Sequence, residues 1–239
     1  MAYEIQSKVV VSLPDFLEEV QEIWGVPILF RGQTVRRNLL PGIARAGNGR
    51  FSPEEEGRRL TKLRMLGAQL PEVQVKDPVD LLVAAQHHGM RTRLLDWTSN
   101  SLVALWFACA EENDRDGYIY ALAADEVKSV GQGDTENLQS VLKRGTIEPI
   151  QTFLLQPNYR NRRVQAQSGW FSFHHLDLKT RRCVPLEDDP DIQQSIYEFV
   201  IPRRDKRKFM ASLEYMGIDR RTLFPDMDGL CQYLNETPV

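Results

Sequence analysis

The sequence is poor in several features that would place it quickly. Three cysteines in 239 residues, Cys109, Cys183 and Cys231, lie far apart with no CxxC pair. That argues against a disulfide framework and against a cysteine-held zinc site, and no metal is expected. Net charge is small: 30 Lys and Arg against 33 Asp and Glu leave −3. No overall field then draws nucleic acid or an acidic membrane surface, so neither is an expected partner, and any anion site has to be a local cluster. No apolar run approaches the roughly 20 residues that cross a bilayer, and the opening residues lack a basic start followed by a long apolar stretch. The expectation is a reduced, cytoplasmic protein. GxSxG, GxxxxGK[ST], HExxH and GxGxxG are missing, which removes most of the case for hydrolase triads, P-loops and Rossmann sites.

What is present suits a packed core, with 42% hydrophobic and 26% charged residues. Ser12 can cap a helix from Pro14 that buries Phe16, Leu17, Val20, Ile23 and Trp24, and the strand Ile28 to Phe30 then delivers Arg31 and Gly32 at its end. Ser52-Pro53 and Asp77-Pro78 repeat the capped start, the second helix stopping near Gly89. Leu102 to Ala110, capped by Asn100 or Ser101, is apolar nearly all round and should be buried. Strands are expected at Tyr118 to Leu122, Ile150 to Leu155, Val164 to Gln167 running on to Gly169–Phe173, and Ser195 to Ile201. A short helix around Glu136 to Leu142 and a loose acidic loop at Glu187 to Asp191 are also expected. Pro202 opens a basic helix with Phe209, Leu213 and Met216 facing inward, and a last helix carries Leu230, Tyr233 and Leu234. No repeat, low-complexity tract or Gly/Ser linker divides the chain. The expected fold class is α+β, one domain over residues 1–239, with a central mixed sheet flanked by helices.

Four constellations carry chemistry. In Phe30-Arg31-Gly32-Gln33 an apolar strand ends in a guanidinium suited to phosphate or carboxylate, and the glycine lets backbone or ligand come close; a structural Arg paired with a buried carboxylate is the alternative. Gln86-His87-His88-Gly89 ends a helix. Adjacent helical histidines point about 100° apart and cannot share one metal, and either can simply satisfy helix-end carbonyls. Arg91 to Asn100 interleaves Arg93, Asp96 and Thr98 with Leu94, Leu95 and Trp97. Burying such groups requires partners, either an Arg93–Asp96 ion pair or a ligand. Arg160, Arg162, Arg163, Gln165 and Gln167 form a basic run that either clamps a polyphosphate or marks a charged edge strand. The run Arg203 to Lys208 reads as a solvated helix face, with a site for an acidic partner or phosphate as the alternative, since positive charge at a helix start opposes the macrodipole.

The motifs Phe30-Arg31-Gly32-Gln33, Ala85 to Gly89, Thr92 to Thr98, Ala104 and Phe107-Ala108 together resemble the FRG-domain family. The likeness extends to Arg163, Gln167, Gly169 and Phe171 and to Leu223-Phe224-Pro225-Asp226 with Gly229-Leu230. His87 rather than His88 matches the family's histidine. Family members are mostly microbial, some encoded near phage-defence or mobile-element genes. A more remote resemblance reaches the ADP-ribosyltransferases, in which an aromatic-Arg-Gly strand end holds NAD and a Ser/Thr motif, here Thr98-Ser99, precedes a core helix. Their late glutamate has only Glu198 as a counterpart.

These resemblances imply an ADP-ribosyltransferase-like arrangement that binds a small-molecule nucleotide, NAD, for ADP-ribosyl transfer to a target such as a protein, or for NAD cleavage. Arg31 and Arg163 would hold phosphates, with Gly32 and Arg93 completing the nucleotide site. Gln33 and Gln167 would bond ribose or base, and His87 the ribose. Asp96 with Thr98 would face the reacting carbon, where a carboxylate stabilises a cation-like transition state. A non-catalytic module reading a nucleotide signal or a partner protein is the second expectation, and a nuclease using Asp96 and His87 the third.

Overall fold

The computed structural model describes residues 5–23, 27–46, 49–50, 52–111, 114–124, 127, 129–130, 152–157, 161–174, 176–177 and 179–236. In chain order these form β1 (Gln6–Val9), α1 (Leu13–Glu22), β2 (Ile28–Gln33), α2 (Gly42–Ala46), α3 (Pro53–Leu66), α4 (Pro78–His87), β3 (Leu94–Thr98), α5 (Ser101–Cys109), β4 (Gly117–Ala123) and β5 (Ser129–Val130). There follow β6 (Phe153–Leu155), α6 (Arg162–Ala166), β7 (Gly169–Phe173), β8 (Leu176–Asp177), β9 (Arg182–Cys183), β10 (Ile196–Ile201), α7 (Lys206–Tyr215), α8 (Arg220–Leu223) and α9 (Met227–Glu236).

Side-chain caps set the helix starts. Ser12, Ser52, Asp77 and Asn100 each accept from a backbone N–H of the first turn of α1, α3, α4 and α5, satisfying donors that a helix leaves free. Gly89, at φ +87°, provides the left-handed residue just beyond α4. The stretch 164–166 is helical and Gln167 caps it, contrary to the reading of 164–167 as a strand. Asn161 Oδ1 accepts from Arg163 N at 2.8 Å and Val164 N at 3.4 Å, and this cap outweighs the alternation of polar and apolar residues. The basic helix begins at Lys206, and Met216 is exposed, since Phe209 and Leu213 alone supply its fully buried apolar contacts. In the last helix Leu230 and Leu234 are likewise exposed. The acidic loop is anchored: Leu186 and Ile192 flank it in the core, and Glu187 accepts from Leu39 N. Trp24, Arg160, the stretch Glu136 to Leu142 and the start of the strand expected from Ile150 lie outside the described residues.

Eight strands form one mixed sheet in the order β1-β10-β4-β2-β3-β7-β6-β5, with helices against it, an α+β arrangement. The outer pairs β1–β10 and β5–β6 are parallel and the inner ones antiparallel. One face packs Phe30, Ile119 and Phe199 against α1, α5 and α7; the other packs Leu29, Trp97 and Leu122 against Leu39, Leu186 and Ile192. Helix α5 lies unusually close to the sheet. A Cβ at Gly32 would come within 2.7 Å of Ala108 N and 2.9 Å of Ala104 C, and one at Gly117 within 3.1 Å of Ala108 C.

The central pairing decides where a ligand can enter. β2 pairs with β4 from Ile28 to Gln33, and β3 with β7 from Leu94 to Thr98, yet β2 and β3 are in register only at Phe30 opposite Thr98. Beyond that pair the two strands diverge and the sheet opens between Gly32 and Asp96.

Candidate functional site

A cleft of about 340 Å³ occupies this opening. It is lined by Arg31 and Gly32 from β2, Gln86 and His87 from α4, Asp96 and Thr98 from β3, Arg163 and Gln167 from α6 and the turn after it, and aromatic walls including Phe30, Trp97, Phe107 and Phe171. Four separate stretches of sequence therefore meet in one hollow.

Arg31 reaches across the strand opening. Its Nη1 donates to the Asp96 carbonyl at 2.7 Å and lies 3.7 Å from Asp96 Oδ2, while Nε is buried with no partner among the described residues. Burial pushes this guanidinium down to about 10, the Asp96 carboxylate opposing. A desolvated cation with a donor to spare gains from an incoming anion.

Asp96 is the cleft's carboxylate, its side chain 61% exposed although both sequence neighbours are buried. Gln86 Nε2 donates to Asp96 Oδ1 at 2.6 Å, and Thr92 Oγ1 donates to Gln86 Oε1, so a short relay from α4 fixes the carboxylate's orientation. His87, half-buried at the end of α4, is held below its usual range by desolvation, Arg163 and His88, and faces the cleft as a neutral imidazole at pH 7. Arg163 stacks on Phe224 at 4.2 Å. Gln167 Nε2 donates to Leu223 O at 3.1 Å, leaving its amide oxygen for the cleft.

Three of the expected site residues are used differently. Arg93 points away from the cleft and is buried at 4% exposure in an ion pair with Glu56, so the alternative of an Arg93–Asp96 pair also fails. Glu56 accepts from Arg93 N at 2.8 Å as well as from its guanidinium, which makes the pair part of the core. Gln33 is buried outside the cleft lining, and neither of its amide atoms has a partner among the described residues. Thr98 does line the cleft, but its hydroxyl donates to Gln167 O at 2.7 Å and accepts from Asn100 N at 3.0 Å, a joint between β3, α5 and α6. Glu198 is buried on β10, bound by Arg36 and Ser7, and does not reach the cleft.

Gln86 is the site residue whose role sequence reasoning missed. It stands in the histidine motif, but its partner is ten positions away on another element, and no spacing rule brings the two together.

Residues 27–117 match the family described as the FRG domain. The chain carries an FRG domain. The matched stretch runs from the entry of β2 to the start of β4 and contains Arg31, Gln86, His87, Asp96 and Thr98. Arg163, Gln167 and β7, which close the cleft, lie after it. Comparison with curated proteins and with solved structures yields no match. The FRG motif itself now has a physical reading. Phe30 packs in the core, Arg31 bridges the strand opening, and Gly32 leaves room for the backbone of α5 at Ala104 and Ala108. No group of three or more His, Cys, Asp or Glu suited to a metal occurs among the described residues, and no helix there is long and apolar enough to cross a membrane.

Proposed function

We propose that the cleft binds a phosphate-bearing nucleotide, NAD, and uses it for ADP-ribosyl transfer or NAD cleavage. The observation that carries this reading is Arg31, a largely desolvated cation whose buried Nε has no partner among the described residues, set beside a fixed carboxylate in an aromatic-walled gap. Phosphate oxygens complement the two arginines, ribose hydroxyls can bond His87 and the free oxygen of Gln167, and a flat ring suits the aromatic walls. Asp96, held by Gln86 and exposed to the cleft, supplies negative charge where positive charge develops at the reacting carbon. Thr98 holds the cleft's walls and does not react.

One observation favours a second reading, a module that binds the nucleotide without turnover. Both oxygens of Asp96 already face donors, Gln86 at 2.6 Å and Arg31 at 3.7 Å, and Glu198 is remote. The experiment is to incubate the protein with NAD and measure released nicotinamide, alongside equilibrium binding. Arg31→Met should lose affinity by about 10- to 150-fold, the equivalent of roughly 1.5–3 kcal/mol for a hydrogen bond to a charged group. Asp96→Asn should bind and not turn over. Binding without release in the unaltered protein decides for the module, and no binding at all overturns both readings.

A further inference from the structure

A second hollow, of about 1040 Å³, adjoins the cleft. Val83, His87 and Arg163 line both, so these three residues stand at the boundary between the two, the neck of the combined space. One wall is the outward side of α4 at Ala84, another the turn at Gln74, and a third the start of α9. The inner cleft, at about 340 Å³, sits at the low end of the roughly 300–1,000 Å³ usual for small-molecule sites and has space for one nucleoside and its phosphate. A ligand with two nucleosides has to continue through the neck.

The neck offers a diphosphate one cation, Arg163, with the Asp226 carboxylate of the outer hollow close enough to offset part of its charge. Stacking on Phe224 occupies a face of the Arg163 guanidinium and leaves its N–H edge for oxygen acceptors. His87 adds an imidazole at the same constriction. Asp96 lines the inner cleft and not the outer hollow, which orients the ligand, because the reacting ribose has to meet it.

Resting on the nucleotide reading above, we infer that the ligand spans both hollows. Its nicotinamide riboside half fills the inner cleft beside Asp96, its linking diphosphate lies against Arg163 in the neck, and its adenosine half extends into the outer hollow. There the amide atoms left over from internal hydrogen bonds, Gln74 Oε1, Asn161 Nδ2 and Gln232 Nε2, offer contacts to the base and sugar.

The test measures equilibrium binding of NAD and of nicotinamide mononucleotide to the full chain and to two variants, Ala84→Trp and Gln74→Trp. Each adds an indole to a different wall of the outer hollow, at a position that does not line the inner one. NAD should bind the unaltered protein at least about ten-fold more tightly than the mononucleotide, since a joined second half adds its own contacts. Both variants should bring NAD to the mononucleotide's affinity while leaving the mononucleotide's unchanged, which also shows that they fold. Equal affinities in the unaltered protein, or NAD binding unchanged in both variants, overturn the spanning arrangement while the nucleotide cleft stands. Failure of both compounds to bind the unaltered protein overturns the nucleotide cleft, and the spanning arrangement with it.

Discussion

Replacing Gly32 by alanine should destabilise the protein for a reason unconnected with any ligand. The backbone of Gly32 is in ordinary strand geometry, with no positive φ, so alanine is conformationally allowed there. In open space the change would stabilise by about 0.4–1 kcal/mol, because the unfolded chain loses freedom. Here the new methyl meets α5. Ala108 N and Ala104 C would stand at 2.7 and 2.9 Å, inside the 3.0 Å that Cβ atoms keep from other heavy atoms, and the Ala104 carbonyl oxygen is nearer still. These are backbone atoms of a buried helix that Gly117 also holds close, so no side chain can swing away. Overpacking usually costs about 1–3 kcal/mol, and the upper end applies when backbone has to move. At roughly 2–4 °C per kcal/mol for a chain of this size, about 3 kcal/mol lowers Tm by roughly 6–12 °C. Scanning calorimetry on Gly32→Ala reads this directly. An unchanged or raised Tm would refute the close-packing argument and return Gly32 to a ligand-contacting role.

Glu56→Ala should cost about 3–5 kcal/mol, since it leaves Arg93 buried without its countercharge. Urea unfolding with an unchanged m value checks this, and a midpoint equal to the unaltered protein's would contradict it. His174 is fully buried against Ser172, and burial, with the charges of Arg31 and Arg45, pushes its pKa down to about 3 from 6.5. The unfolded chain therefore binds the extra proton first, and the stability linked to this group is complete above pH 6.5 and drains away as pH falls toward 3. His174→Gln should flatten the fall in stability across that window, measured by denaturation at several pH values; an identical slope would count against the assignment.

Local physical rules carried much of the fold. The caps at Ser12, Ser52, Asp77 and Asn100 depend on neighbours within three residues, and the apolar stretch 102–110 can only be an interior helix. The cleft residues Arg31, His87, Asp96 and Gln167 stand out because polar groups in apolar surroundings require partners. What stayed hidden was long-range pairing. Arg93 finds Glu56, 37 residues earlier, in preference to Asp96, three residues on, because strand geometry sends 93 and 96 to opposite sides of β3. Nothing in Phe30-Arg31-Gly32-Gln33 tells which of Arg31 and Gln33 reaches the opening, since that depends on where β2 leaves β3. Arg163 lines the cleft from a capped five-residue helix in place of the strand expected there, as so short a helix shows no period in the sequence.

That single register point between β2 and β3 bears on how the molecule is held together. A continuous sheet locks its halves by a ladder of backbone bonds, whereas here the two strand groups rely on α5 and on Arg31 lying across the seam. Any guest lodged in the seam adds a third fastening, so occupancy and cohesion are thermodynamically linked: what tightens one must tighten the other.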